Sequence, residues 1–150
     1  MGELKDRLHT DLTASMKARD ELRTATLRMV LTAIGHEEVA GKSARTLSAQ
    51  EELKVLGREA KKRREAAEAF RSGGAEDRAQ RELDEEAVLS TYLPVQLGDD
   101  ELTAIVAAAV AESGASGPQA MGALQKLVGP QVAGRAEGGR VAAAVRAALA

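Results

Sequence analysis

Glycine and arginine occur together in one short segment near the end of the chain. Residues 134–141 read GRAEGGRV, so that Gly134 and Gly139 are separated by four residues and Arg140 follows directly. This spacing approaches that of a phosphate-binding P-loop, which has the pattern G-x-x-x-x-G-K followed by Ser or Thr. A P-loop also needs that lysine, a hydroxyl group for Mg²⁺ and a preceding strand, whereas this chain has Arg140 and Val141 and no strand pattern before them. No nucleotide site is therefore expected.

The same segment is predicted to be a tight turn that leads into a helix. Gly134 and Gly138 are expected to adopt backbone angles that other residues avoid, with Gly139 completing the structural turn. The first turn of a helix offers free N–H groups and a positive dipole end, which favour a phosphate. Arg135 and Arg140 flank this turn and are candidate contacts to a nucleic-acid backbone, although Glu137 between them opposes an anion.

A second candidate for phosphate contact is the most basic stretch of the chain. Residues 58–70 read REAKKRREAAEAF, with helical spacing that places several basic side chains close together. One interpretation is a row of cations that follows a nucleic-acid backbone. The other is a solvated helix face, paired with glutamates three or four residues away such as Glu51, Glu65 and Glu68. The basic residues concerned are Arg58, Lys61, Lys62, Arg63 and Arg64.

Composition excludes several classes of protein. The chain has 21 basic and 23 acidic residues, a net charge of −2 and no cysteine, so disulfides and thiolate metal sites are excluded. His9 and His36 are isolated, and no metal, cofactor or catalytic triad is expected. No apolar run is long enough to cross a membrane. The first ten residues lack the apolar core of a signal peptide, so we expect a cytoplasmic protein.

Hydrophobic spacing predicts an all-α protein. Thirty residues are alanine, the strongest helix former, and only two are aromatic. Four helices are expected in an N-terminal domain, residues 1–93, and three in a C-terminal domain, residues 94–150, that is small enough to be marginal alone. Pro94 marks the boundary because proline restrains the residue before it from helical geometry. The predicted helices cover about 3–18, 20–39, 48–72, a fourth segment up to 92, 99–113, 118–128 and 138–149.

Several residues are predicted to mark helix ends. Asp20 is expected to cap the second helix, and Ser48 and Glu51 to form a capping box at the start of the third. Gly114 is expected just past the end of the fifth.

Other residues give these predictions more detail. Ser15 or Met16 is placed on the inward face of the first helix, and Ala87 on that of the fourth. The segment RELDEE, residues 81–86, is interpreted as a solvated helical face. Gly129 and Pro130 are expected to break the sixth helix.

Five motifs together resemble the YqeY family of small bacterial proteins, which are related to the tail of the B subunit (GatB) of glutamine-dependent tRNA amidotransferases. The segments that carry the resemblance are LRMVLTAI (27–34), KKRREAAEAF (61–70), TYLPVQL (91–97), MGALQKLVGP (121–130) and GRAEGGRV (134–141). The resemblance implies an N-terminal helical domain followed by a three-helix tail domain.

The resemblance also implies a function. The amidotransferase tail is thought to contact the outer body of tRNA, so the chain is expected to be a tRNA-associated accessory module, with Lys126 among its contacts. The alternative is a protein-interaction module that docks on an amidotransferase, a synthetase or another translation partner. Family annotation also implies a carbon–nitrogen ligase with glutamine as amide donor, but the sequence has no motif for glutaminase or ATP chemistry. Ala123, Gln131 and Ala133 stand where many members have lysine, which shifts the expected RNA contact towards Lys61–Arg64.

Overall fold

The computed structural model describes residues 2–150, and within them every regular element is helical. This confirms the all-α class. A 3-10 turn, Pro118–Ala120, precedes the sixth helix. The helices are α1 (Glu3–Lys17), α2 (Glu21–Val39), α3 (Ala49–Ser72), α4 (Glu76–Ser90), α5 (Asp99–Ser113), α6 (Met121–Val132) and α7 (Gly138–Leu149).

Helix ends form where local capping signals predict them. The Asp20 carboxylate accepts a hydrogen bond of 3.1 Å from the Arg23 N–H and starts α2. At the start of α3, the Ser48 hydroxyl accepts from the Glu51 N–H at 3.2 Å, while the Glu51 carboxylate accepts from the Ser48 N–H at 2.8 Å. Hydrogen bonds from Arg45 and from this Ser48 amide lower the pKa of Glu51 to about 2. The predicted capping box is therefore confirmed.

The chain divides into two compact units, Met1–Pro94 and Val95–Ala150. Helices α1–α4 form the first unit around a core that includes Leu8, Leu27, Ile34 and Leu56, all fully buried. Within this unit, α3 packs most extensively against α4, and α1 against α2.

A buried carboxylate caps the start of α1. Glu52 on α3 is only 2% exposed, and its Oε2 accepts a hydrogen bond of 2.9 Å from the Lys5 N–H. Burial raises the pKa of the Glu52 carboxyl group, although the Lys5 amide opposes that effect. A Cβ atom on Gly2 would lie 1.8 Å from Glu52 Oε1, so a larger residue at this position would require the Glu52 side chain to shift.

Of the two core positions predicted in detail for the first unit, the choice between Ser15 and Met16 falls to Ser15, and the inward placement of Ala87 is wrong. Met16 is 43% exposed because Ser15 takes the inward position, where its Oγ lies 2.8 Å from Thr24 Oγ1. Ala87 is exposed, whereas Ala79 and Leu89 are buried on α4. The inward face of α4 between those two residues carries glutamates, which a hydrophobic pattern cannot reveal.

Helices α5–α7 form the second unit around a core that includes Val106 and Val145. The expectation that Gly129 and Pro130 end the sixth helix is wrong, because α6 continues to Val132 with Pro130 inside it. A proline removes one backbone donor, but Leu124, Val128 and Val132 are four residues apart and all buried. The burial of these three side chains stabilises the last turn of α6 despite the missing hydrogen bond.

Tyr92 anchors the segment after α4 to the first two helices. Its side chain is buried, and its hydroxyl group donates to Asp11 Oδ2 at 2.6 Å and accepts from Arg23 Nη2 at 2.9 Å. The Arg7 guanidinium group lies 4.7 Å from the centre of the ring. Burial, followed by the hydrogen bond to Asp11, raises the pKa of Tyr92 to about 12.

We expect the phenol to ionise late in an alkaline titration. Tyr92 is the only tyrosine and the chain has no tryptophan, so the phenolate absorbance reports this residue alone. The midpoint should lie near pH 12 in the folded protein and near the ordinary value of about 10 in denaturant. A raised pKa means that Tyr92 contributes stability below pH ~10, and that this contribution is lost as the pH rises towards 12. A midpoint near 10 with helical circular dichroism intact would contradict this.

Candidate phosphate-contacting surfaces

The five candidate cations of α3 are all engaged by carboxylates, unlike Lys54 of the same helix. Their partners lie on three different helices, and most are not the residues that helical spacing predicts. Only Lys61–Glu65 matches a predicted pair, while Glu51 binds Arg45 instead. The nearest N–O distances are 3.1 Å for Arg58–Glu37, 3.8 Å for Lys61–Glu65, 2.9 Å for Lys62–Glu59, 3.5 Å for Arg63–Glu82 and 2.8 Å for Arg64–Glu86.

Arg63 is the most enclosed of these cations, with a side chain only 16% exposed. Its guanidinium nitrogens lie 4.0 Å from Glu59 Oε1, 3.5 Å from Glu82 Oε2 and 3.9 Å from Glu85 Oε2. Its Nη2 also lies 2.9 Å from the sulfur of Met29 on α2. Arg63 therefore joins α2, α3 and α4 in the interior of the first unit.

Residues 81–86 were interpreted as a solvated helical face. That interpretation is wrong for the glutamates of this segment. The side chains of Glu82, Glu85 and Glu86 are 12–18% exposed and point towards arginines of α3. A cation already paired with a carboxylate adds less positive potential to a surface than a free one. The α3 segment thus behaves chiefly as an interhelical ion-pair network.

The glycine–arginine segment forms the turn between α6 and α7, and the 96–97 segment holds it in place. The Leu97 N–H donates to the Arg135 carbonyl oxygen at 2.7 Å, and the Gln96 side chain donates to the Gly134 carbonyl oxygen at 2.8 Å. Gly134 has a φ of +70°, in the left-handed region that favours glycine.

The expected special angles of Gly138 are wrong. Gly138 and Gly139 are the first residues of α7, and neither has a positive φ. A Cβ atom at either position would meet no atom within 4 Å. Only Gly134 among the three therefore has a conformational need for glycine in this turn.

Arg140 folds back onto its own unit. Its Nη2 donates to the Leu97 carbonyl oxygen at 2.9 Å and to Asp99 Oδ1 at 2.7 Å. The side chain thereby fastens the start of α7 to the segment before α5. Its charge is largely committed to this contact.

Arg135 and Lys126 differ from Arg140 in having no carboxylate within ion-pair distance among residues 2–150. Arg135 is half-buried at the turn, and Lys126 is exposed on α6. Sequence analysis did not select Arg146, which is exposed on α7 and likewise has no acidic partner in the described chain. The distances to carboxylates on other helices distinguish these cations from the paired ones.

Neither a metal cluster nor a membrane span occurs in the described part of the chain. Across residues 2–150, no group of three or more histidine, aspartate or glutamate side chains has an arrangement suited to a metal ion. In the same range no helix combines the length and the apolar character needed to span a bilayer.

These features define the class of protein as a small all-α protein of two compact helical units, rich in interhelical ion pairs. A family model described as Yqey-like protein matches residues 5–149, nearly the whole chain. The chain belongs to the YqeY family. This confirms the resemblance drawn from the five motifs. A comparison with curated proteins found no match.

Proposed function

We propose that the chain is a non-catalytic accessory module that binds tRNA or another structured RNA through backbone phosphates. The observation that carries the proposal is the contrast in ion pairing. The five candidate cations of α3, Arg58 and Lys61–Arg64, have carboxylate partners, whereas Lys126 on α6 and Arg135 in the adjoining turn have none within ion-pair distance in residues 2–150. Contact to an RNA backbone depends on cations whose charge is available.

The resemblance of the second unit to the amidotransferase tail also supports RNA contact through Lys126 and Arg135. Although alanine and glutamine replace some lysines expected there, we infer that the tail and not α3 supplies the principal contacts. Arg140 acts in this proposal by fastening α7, which positions the turn that carries Arg135. Base-specific readout is not proposed, because the ring of Tyr92 is buried and is not available for stacking on a base.

The proposal extends to the domain organisation of the chain and to the ligase activity associated with the family. We propose that the compact units are two domains in the folding sense, a four-helix and a three-helix domain with their boundary at Pro94. We also propose that the glutamine-dependent ligase activity associated with the family resides in other proteins. An RNA partner in translation would place the chain in the cytoplasm.

A salt series with purified tRNA tests the RNA contact. Replacing Lys126 and Arg135 by alanine should weaken binding and lower the slope of log affinity against log salt by about one for each residue. The matched control is the pair Lys61→Ala and Lys62→Ala, whose cations are engaged by glutamates. The control should leave the slope nearly unchanged.

Two results would count against the proposal. An absence of tRNA binding at low salt would exclude the RNA function as a whole. Equal losses of slope in both double variants would instead retain RNA binding and reject the assignment to the second unit.

A further inference from the structure

An open groove of about 310 Å³ lies in the first unit, where α1 ends and α2 begins. None of its lining residues belongs to the RNA surface proposed above. Its floor and walls combine apolar atoms with basic side chains. The lining residues are Met16, Arg19, Glu21, Thr24, Ala25 and Arg28.

The two arginines of the groove are not ion-paired. Neither Arg19 nor Arg28 has a carboxylate within ion-pair distance among residues 2–150, in contrast to Arg58, Arg63 and Arg64 of the same unit. The one polar contact of the Arg28 guanidinium group is the thioether sulfur of Met16, a weak acceptor, at 3.2 Å. The groove thus carries two positive charges that the fold does not neutralise.

Arg19 also has an unfavourable backbone conformation. Its φ is +57°, and it is the only residue other than glycine with a positive φ in the described chain. It closes α1, with its N–H donating to the Met16 carbonyl oxygen at 3.2 Å. Glycine is the usual residue at such a position, and backbone strain tends to occur at functional sites. An arginine at this position therefore carries a conformational cost that a glycine would not.

Met16 supplies an exposed apolar centre between these charges. It is one of few large apolar side chains exposed in the described chain, and it packs into neither core cluster. Methionine and arginine are enriched in protein–protein interfaces, and methionine adapts to varied partners. A phosphate backbone would gain nothing from this apolar floor.

We propose that this groove binds an acidic segment of a partner protein. One apolar side chain of the segment packs on Met16 and Ala25, and flanking carboxylates accept hydrogen bonds from Arg19 and Arg28. The planar guanidinium group matches a carboxylate in shape as well as charge. Glu21 at the rim lies 4.0 Å from Arg81 and directs the acidic groups towards the two arginines.

A displayed library of random peptides, screened with the whole protein, tests the proposal. Enriched peptides should carry Asp or Glu around one apolar residue, and a synthetic copy of the best should bind in fluorescence anisotropy. Arg28→Glu and Met16→Glu should each weaken that binding about tenfold or more, a change of ~1.4 kcal/mol. Lys54→Glu is the matched control, because Lys54 is exposed on α3 and lies outside the groove.

Arg19→Gly separates binding from folding. Glycine relieves the positive φ, so this variant should unfold at a higher temperature and yet bind the peptide more weakly. The proposal is overturned if no acidic peptides are enriched, or if the peptides bind all variants equally. It is also overturned if Arg19→Ala and Arg28→Ala lower the salt slope of tRNA binding while no peptide binds, since the groove would then contact RNA.

Discussion

Replacing Arg63 by methionine is expected to lower the free energy of unfolding of the first unit by about 3–5 kcal/mol. Methionine keeps an apolar stem of similar length and removes the guanidinium group with its charge and its hydrogen-bond donors. Glu59, Glu82 and Glu85 would then repel one another, with side chains only 6–17% exposed. Denaturant unfolding followed by circular dichroism measures the loss.

Two further variants show whether charge is the cause. Arg58→Ala breaks the ion pair with Glu37, whose two side chains are 39–49% exposed, and should cost at most about 1 kcal/mol. Adding Glu82→Gln and Glu85→Gln to Arg63→Met should restore much of the lost stability, because the uncompensated charges are gone. A loss below 1 kcal/mol for Arg63→Met, or no recovery in the triple variant, would show that the network is not energetically important.

Leu124→Ala is expected to unfold the second unit while the first remains folded. Leu124 is fully buried, and truncating a buried leucine costs about 2–5 kcal/mol, a large share of the stability of so small a domain. Hydrogen exchange of the full chain, resolved by peptide, should show lost protection in residues 95–150 and retained protection in 2–94.

Leu127→Ala is the matched control for this experiment. Leu127 lies on the same helix, but it is 47% exposed, so its truncation should change protection little. Loss of protection in both units of Leu124→Ala would contradict the proposal that they are separate domains. Unchanged protection everywhere would contradict the assigned core.

The features that sequence analysis predicted correctly depend on local interactions. Ser48 and Glu51 cap α3 because their groups lie three residues apart, and the same reasoning identified Asp20. Gly114 ends α5 in the left-handed region, as a glycine just past a helix should. Such signals act within one helical turn and therefore do not depend on how the helices pack.

The errors occur where a residue's environment comes from another helix. Ala87 was placed inward because alanine is apolar, whereas α4 directs Glu82, Glu85 and Glu86 towards the arginines of α3. Glu52 gave no signal at all, since its role as a cap for α1 joins residues 47 positions apart.

The candidate site shows the same division. From sequence, Arg135, Arg140 and Lys126 were equivalent candidates, as were the five cations of α3. The structure separates them by the carboxylates that packing brings near, and it commits Arg140 to Leu97 and Asp99. It also shows that Met16 is exposed, whereas the helical pattern left open whether Ser15 or Met16 faces inward.

The sequence alone determined the all-α class, most helix ends and the family. Those properties depend on propensity, capping and motif order, all of which are encoded over short stretches of chain. Only the tertiary structure decided which cations are neutralised and which remain available, because ion pairing depends on distances between helices far apart in sequence. For a chain with nearly balanced charge, that decision determines where an anionic partner can bind.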